Sequence, residues 1–327
     1  MKQLDFYWNS INFVSIVLLP LSGLFCLLSA VRRHLYKLGI FKSYKAPLPV
    51  IIVGNISVGG TGKTPLIIEL VKQLQLLGKK PGVISRGYGG SATTWPQLVN
   101  EKSTAEKVGD EPQLIFQHTK CPLVVGPNRQ HNIELLIKQF DCDVVLADDG
   151  MQHYALQRDV EIAVVDSQRY FGNGFCIPSG PLREKPSRLK LVDLVLINGG
   201  NDNQVSFSLQ PLHCKVVGHK VQGNIKLDEF KGKSVHAVAG IGNPERFFNM
   251  LSAKGINVIP HAFADHYSYK SSDFMFNDDL PVLMTEKDAV KCLDFELPNL
   301  WSVPVDIKIS SLAQQKLNDI FNTLNNC

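Results

Sequence analysis

Residues 57–64 read SVGGTGKT, and these residue types are suited to holding a chain of phosphates. Gly59, Gly60 and Gly62 permit backbone shapes that turn successive N–H groups inward onto an anion. Lys63 suits a bridge between β- and γ-phosphates, and the Thr64 hydroxyl suits Mg²⁺. In the Walker A pattern, G-x-x-x-x-G-K-[ST], Gly62, Lys63 and Thr64 occupy the last three positions. Ser57 stands where the first glycine would be, with Val58 and Thr61 among the variable positions. The loop from Ser57 to Thr64 is therefore the candidate binding site for the phosphates of ATP. Such a site also needs an acid at the end of a neighbouring buried strand, to hold Mg²⁺ directly or through water. Residues 143–149, DVVLADD, offer four apolar residues ending in Asp148 and Asp149. Adjacent carboxylates repel unless a cation or donor lies between them, so Thr64, Asp148 and Asp149 form a candidate metal set.

The elements that must position these residues follow from hydrophobic pattern. Residues 48–56, LPVIIVGNI, are continuously apolar and β-branched, as in a strand buried on both faces. Directly after the glycine loop, residues 65–77 are apolar at helical spacing and end at Gly78. Pro65 is tolerated there because a helix's first turn has no partner for that N–H. Further short strands are expected at 83–85, 123–125, 143–147, 162–165 and 194–197, with a helix over 128–140. This βαβ series predicts an α/β, P-loop NTPase-like parallel sheet with helices on both faces. Near residue 200 the turn-rich GGNDNQ breaks the pattern. Residues 205–209 and 214–217 then read as an antiparallel pair. A second α/β series follows, with strands at 234–239, 256–259, 282–285 and 301–305 and a helix over 244–254.

The N-terminus differs in character. Residues 11–31 carry no charge and are followed at once by Arg32, Arg33, His34 and Lys37. As one helix they would extend about 31 Å, enough to cross a bilayer's hydrocarbon. By the positive-inside rule the chain beyond them stays cytoplasmic. A cleaved signal peptide fits poorly, since the positive charge follows the apolar run. Pro20, Ser22 and Gly23 also allow a bent helix lying in one leaflet. A membrane-associated N-terminal helix is the expectation.

Composition sets the outer limits. The 327 residues suggest about two domains at roughly 150 residues each. At 44% hydrophobic and 20% charged, the chain is globular rather than disordered. A net charge of +4 suits an anionic substrate or membrane surface and falls short of a dedicated nucleic-acid binder. Seven widely spaced cysteines without a CxxC argue against a disulfide framework or zinc site.

The motifs GNISVGGTGKTP, GVISRGYGG, VGDEP, GPNR, ADDGMQH, GPLRE, GIGNPERF and MTEKDAVK occur in that order. Together they closely resemble the tetraacyldisaccharide 4′-kinase family, the lipid A 4′-kinases of Gram-negative bacteria. Serine in the first Walker A position is that family's own form. The resemblance implies transfer of the γ-phosphate of ATP, with Mg²⁺, to the 4′-hydroxyl of a tetraacylated glucosamine disaccharide 1-phosphate. The expected place is the cytoplasmic face of the inner membrane, in contact with its lipids, with no obligate protein partner. It also implies two α/β/α domains joined by a two-stranded linker, the smaller acting as a lid. The expected division is a membrane-associated helix at 1–32, a kinase core at 33–204, a linker at 205–219 and a lid at 220–327. Asp110, in VGDEP, would belong to the base that accepts the sugar hydroxyl's proton. Read without the resemblance, it is a turn aspartate. His266, in ADHYSY, would assist it from the lid. Arg183 would act on the transferring phosphate, Glu184 would join the Mg²⁺ shell, and Arg129 and Gln152 would bind substrate. Arg86 and Tyr88 follow the second strand, where open α/β sheets bind ligands. The competing readings are another P-loop ATP-dependent enzyme and a membrane-attached nucleotide-binding regulator without transfer chemistry.

Overall fold

Strand β1 (Val50–Gly54) is buried at all five positions, as its unbroken apolar run requires, and a nine-stranded sheet grows outward from it on both sides. A computed structural model describes residues 4–218, 223–295, 297 and 299–324. The expected linker–lid boundary at 219/220 and Cys327 lie outside these residues.

In chain order the described elements begin with helices α1 (Phe13–Val17) and α2 (Leu19–Lys37), then β1, α3 (Lys63–Leu76), β2 (Pro81–Ser85) and β3 (Gln97–Leu98). Helices α4 (Ala105–Val108) and α5 (Asp110–Thr119) lead to β4 (Leu123–Val125), α6 (Arg129–Gln139), β5 (Val144–Asp148), β6 (Val160–Asp166) and β7 (Leu194–Asn198). Strands β8 (Ser206–Pro211), β9 (His213–Val216), β10 (Asn224–Lys226) and β11 (Ser234–Ala239) follow, then α7 (Pro244–Ala253), β12 (Asn257–Ala262) and β13 (Val282–Thr285). The chain ends with α8 (Glu286–Ala289), β14 (Leu300–Val303), β15 (Val305–Ile309) and α9 (Ser311–Leu324).

The large sheet has the order β15-β8-β7-β6-β1-β5-β2-β4-β3, parallel from β8 to β4 with an antiparallel strand at each edge. Alternate residues of β1 face opposite ways. Ile51 and Val53 join the core beneath α3, α5 and α9, while Val50 and Ile52 join the one beneath α6 and α2. A second sheet, β10-β9-β14-β13-β11-β12, has its own core around Val235, Ala237, Phe247 and Leu283.

Residues 205–209 and 214–217 do not pair with each other. Strand β8 joins β7 and β15 in the large sheet, and β9 joins β10 and β14 in the small one. Two antiparallel ribbons, β8 with β15 and β9 with β14, therefore run from one sheet to the other. Only one residue separates the strands at each crossing, Leu212 and Pro304, too few for the hairpin expected from local pattern. The chain after the second crossing returns to the first sheet, where Ala313, Leu317 and Phe321 of α9 are buried. Residues 305–324 thus pack with the large sheet, although the expected division placed them with the smaller domain.

The apolar N-terminal run does not form one helix. The Asn12 side chain accepts from Ser15 N at 3.0 Å, and the Ser15 hydroxyl accepts from Asn12 N at 2.9 Å. That box caps the five-residue α1, and α2 restarts with Pro20 in its first turn, where proline lacks the N–H a continuous helix would use. No helix among the described residues is long and apolar enough to cross a membrane. The polar side chains face inward instead. Ser22 is buried and donates to Cys176 O at 2.8 Å, and Ser179 donates to Ser15 O. Phe13, Leu24, Leu27 and Leu28 point outward, each more than half exposed.

Candidate active site

The strands of the large sheet end together. Gly54, Ser85, Asp148, Asp166 and Asn198 are the last residues of β2 and of the four central strands, at the carboxyl edge where open α/β sheets bind ligands. The phosphate loop leaves β1 there. Gly62 caps α3 with φ +91°, and a Cβ on it would overlap the Asn198 amide, which donates to Thr61 O at 2.9 Å. Gly59 has φ +100° and lies against the Arg169 guanidinium. Glycine is required at both positions for conformation and for space. Ser57 bridges to Leu182, and Val58 N donates to Pro181 O at 2.8 Å, so the loop is braced from its outer side. Gly60 and Gly62 line a cavity with Lys63 and Thr64. Lys63 Nζ is held 3.3 Å from Asn55 Oδ1 and 3.6 Å from Asp149 Oδ1.

The two adjacent acids have different environments. Asp148 is buried; its Oδ2 accepts from Ser85 Oγ at 3.1 Å, and its Oδ1 has no partner. Burial first, and then Glu111, push its pKa up to about 7. Asp149 has φ +48° and pairs with Arg183 Nη1 at 2.8 Å. Burial pushes its carboxyl up, but Lys63 and Arg183 outweigh that and hold it at about 2. Among the described residues no three His, Cys, Asp or Glu side chains converge as a cluster that could hold a metal. Asp148, with a free buried oxygen, fits a cation that takes one carboxylate and completes its shell with phosphate oxygens and water. Asp149 beside it is shared between Arg183 and Lys63.

Glu184, expected in the metal shell, lines the same cavity as Lys63 and Asp148 and is hydrogen-bonded by its neighbours. Its oxygens accept from Tyr154 Oη at 2.6 Å and Gln152 Nε2 at 3.0 Å, and Arg33 of α2 lies at 3.3 Å. Gln152 also donates to Asn55 O at 3.1 Å, so its amide joins Glu184 to the residue that follows β1. Arg129, expected to bind substrate, lines the cavity wall but is almost wholly buried there. It is buried beneath β5 and donates to Asp148 O at 2.5 Å, and burial lowers its pKa to about 10. Burial likewise lowers His153 to about 4, aided by Arg129 and Arg158.

Asp110 and His266 are brought together from 156 residues apart. His266 Nδ1 lies 3.0 Å from Asp110 Oδ2 and 3.1 Å from Oδ1. Asp110 is not in a turn. It begins α5 and is 4% exposed, behind His266, which lines the cavity. Burial would raise the Asp110 carboxyl, but the hydrogen bond from His266 and the charge of Lys287 leave it lowered. The same hydrogen bond, stronger than the opposing burial, raises His266. Tyr88, two-thirds exposed, packs edge-on to His266 with ring centroids 5.2 Å apart.

Residues of the second sheet close over the loop. Arg246 of α7 reaches Asp166 at 2.6 Å and Asn198 at 2.8 Å, and Arg169 donates to Gly242 O. A Cβ on Gly242 would come within 2.8 Å of Gly60 N, so only glycine lets this loop lie on the phosphate loop. The resulting cavity of about 1360 Å³ is larger than one small ligand fills, leaving room for a nucleotide and an acceptor. Arg246, Arg169, Asn198, Glu111 and Lys287 were not picked out from sequence. Arg246 and Lys287 lie in the quoted motifs GIGNPERF and MTEKDAVK, but nothing in their spacing revealed partners on another sheet.

The family model described as tetraacyldisaccharide-1-P 4′-kinase matches residues 14–324. The chain is 49% identical over 317 residues to a tetraacyldisaccharide 4′-kinase of Nitrosococcus oceani, covering 95% of this chain and 92% of that one. To one of Pasteurella multocida it is 50% identical over 309 residues, covering 93% and 94%. Its fold is similar to a crystal structure of LpxK from Aquifex aeolicus in complex with ATP. The TM-score is 0.77 at 27% identity, over 95% of this chain and 99% of that one.

Proposed function

The chain belongs to the tetraacyldisaccharide-1-P 4′-kinase family, and on that premise we propose that it transfers the γ-phosphate of ATP to the 4′-hydroxyl of a tetraacylated glucosamine disaccharide 1-phosphate. The product is the 1,4′-bisphosphorylated lipid A precursor. The observation that carries this reading is one cavity lined both by the phosphate loop and by His266, with Asp110 directly behind it.

The β- and γ-phosphates lie on the N–H groups of residues 57–64, at the positive end of α3. Lys63 stabilises the charge that spreads over the transferring group, and Arg183, in reach of Asp149, adds a second cation beside it. The Thr64 hydroxyl and Asp148 would hold Mg²⁺, which when bound neutralises the phosphate oxygens. The acceptor's proton passes to the Asp110–His266 pair. In a loose phosphoryl transfer, orientation of the hydroxyl matters more than the strength of the base, so a lowered Asp110 carboxyl suffices. Incubation of the pure protein with γ-labelled ATP, Mg²⁺ and the tetraacyl acceptor should give labelled product. ATP turnover without label in the lipid would favour another P-loop enzyme, and binding without turnover would favour a regulator.

The N-terminal helices support a place at the cytoplasmic face of the inner membrane. Their apolar side chains face out, Arg32, Arg33 and Lys37 flank them, and Phe25, Ser29 and Arg32 line the cavity. They lie on the membrane surface, with the apolar face in the acyl region and the cations among anionic headgroups. Substituting Leu24, Leu27 and Leu28 together by serine removes three outward side chains and no core contact. The variant should lose most flotation with anionic vesicles while keeping its melting temperature; undiminished flotation would refute the placement.

A further inference from the structure

In residues 285–288, TEKD, the side chains of Thr285, Glu286 and Asp288 hold the segment in place. The Thr285 side chain caps α8, accepting from Asp288 N at 3.2 Å. Glu286 lies 2.9 Å from His118 Nε2, near the end of α5. Asp288, fully buried, accepts from Gly240 N at 2.9 Å and from Thr285 Oγ1 at 2.6 Å, with Lys291 Nζ 2.9 Å from its other oxygen. The backbone at residue 287 is thus fixed from both sides.

Between these anchors stands Lys287. Its Nζ lies 3.0 Å from Glu111, 3.4 Å from Asp265 and 3.9 Å from Asp110. Glu111 and Asp110 open α5, against the large sheet; Asp265 precedes His266 in the loop after β12, on the small one. One ammonium therefore faces three carboxylates drawn from both sheets, with its side chain only 18% exposed. Without it those carboxylates would repel one another where α5 meets the His266 loop. Burial pulls the Lys287 ammonium down, yet Glu111 and the two aspartates outweigh this and hold it above its ordinary range.

We propose that Lys287 is a positioning residue that clasps the start of α5 to the His266 loop, and so sets the contact between Asp110 and His266. This rests on the proposed kinase reading. The clasp exists only while the two sheets are closed on each other, since its partners come from both. A pair that must meet across a closing cleft loses on the order of 10²-fold in rate when displaced by about 1 Å, so the clasp acts on turnover rather than on ATP binding.

The test is steady-state kinetics of full-length protein with the tetraacyl acceptor. Lys287→Met should lower kcat by about 10- to 100-fold, with KM for ATP changed less than about threefold. Lys287→Arg, which keeps the charge, should recover much of the loss. In a His266→Ala background, Lys287→Met should cost little more, because the pair it positions is already broken. Lys287→Gln keeps the stem and a donor, and serves if the methionine variant does not fold. An undiminished kcat, or the full Lys287 loss in the His266→Ala background, would overturn the proposal. Wild-type transfer measured in the same assay separates these outcomes from a failure of the kinase reading.

Discussion

Replacing Lys63 by alanine should lower kcat/KM for ATP by at least about 10³-fold while leaving the fold intact. The side chain packs no core. It bridges the phosphate loop to Asn55 Oδ1 and to Asp149, which keeps a second partner in Arg183 at 2.8 Å. Loss of Lys63 leaves Asp149 paired with Arg183 and buried Asp148 still beside Arg129, so the melting temperature should move by only a few degrees. The lost cation, by contrast, faces the charge that develops on the transferring phosphoryl group. One such donor in a water-excluded site is commonly worth 10²–10³ in rate, and a cation on a multiply charged group lies at or above that range. Kinetics and thermal melting of the same preparation are the check. Near-normal transfer by a folded variant would remove residues 57–64 from the mechanism.

The second large effect belongs to Asp110 and His266. Asp110→Asn and His266→Ala should each lower kcat by about 10²–10⁴-fold, the range for a lost positioned acid or base. The double variant should be little worse than the poorer single one, because both distances, 3.0 and 3.1 Å, belong to one contact. Simple multiplication of the two losses would mean independent roles. The pair also makes a prediction about stability, with opposite signs for its members. The folded-state pKa of His266 is raised, so its contribution is fully present below its ordinary value and is lost as pH rises through the raised one. Asp110 is lowered, so its contribution is present above its ordinary carboxyl value and is lost as pH falls through the lowered one. Wild type should exceed Asp110→Asn in melting temperature most between those limits, in mildly acidic solution. A difference that is flat from acid to alkaline pH would mean that the two residues do not share a proton.

Sequence alone determined the local chemistry and the elements that carry it. An apolar β-branched run, three glycines and GKT in that order specify a strand, a phosphate loop and a helix, because each step depends only on neighbours in the chain. The structure has them at β1, residues 57–64 and α3. The two acids after residues 144–147 were legible for the same reason, as were most strands of both sheets. What needed the tertiary structure was every contact between distant segments. The helical start at Asp110 was missed because VGDEP has the composition of a turn, and it is α5's burial beneath the sheet that makes it a helix. The N-terminal run looked long enough to span a bilayer by hydropathy, but Pro20 divides it and buried Ser15 and Ser22 fix its polar side inward. Spacing could not distinguish Arg129, whose buried guanidinium donates to the Asp148 carbonyl, from Arg183, which pairs with the Asp149 carboxylate. A lysine in TEKD has no distinguishing pattern in the chain. Its role arises only where α5 and the His266 loop bring three carboxylates within 4 Å of one ammonium, because Coulomb energy depends on separation in space and not along the sequence.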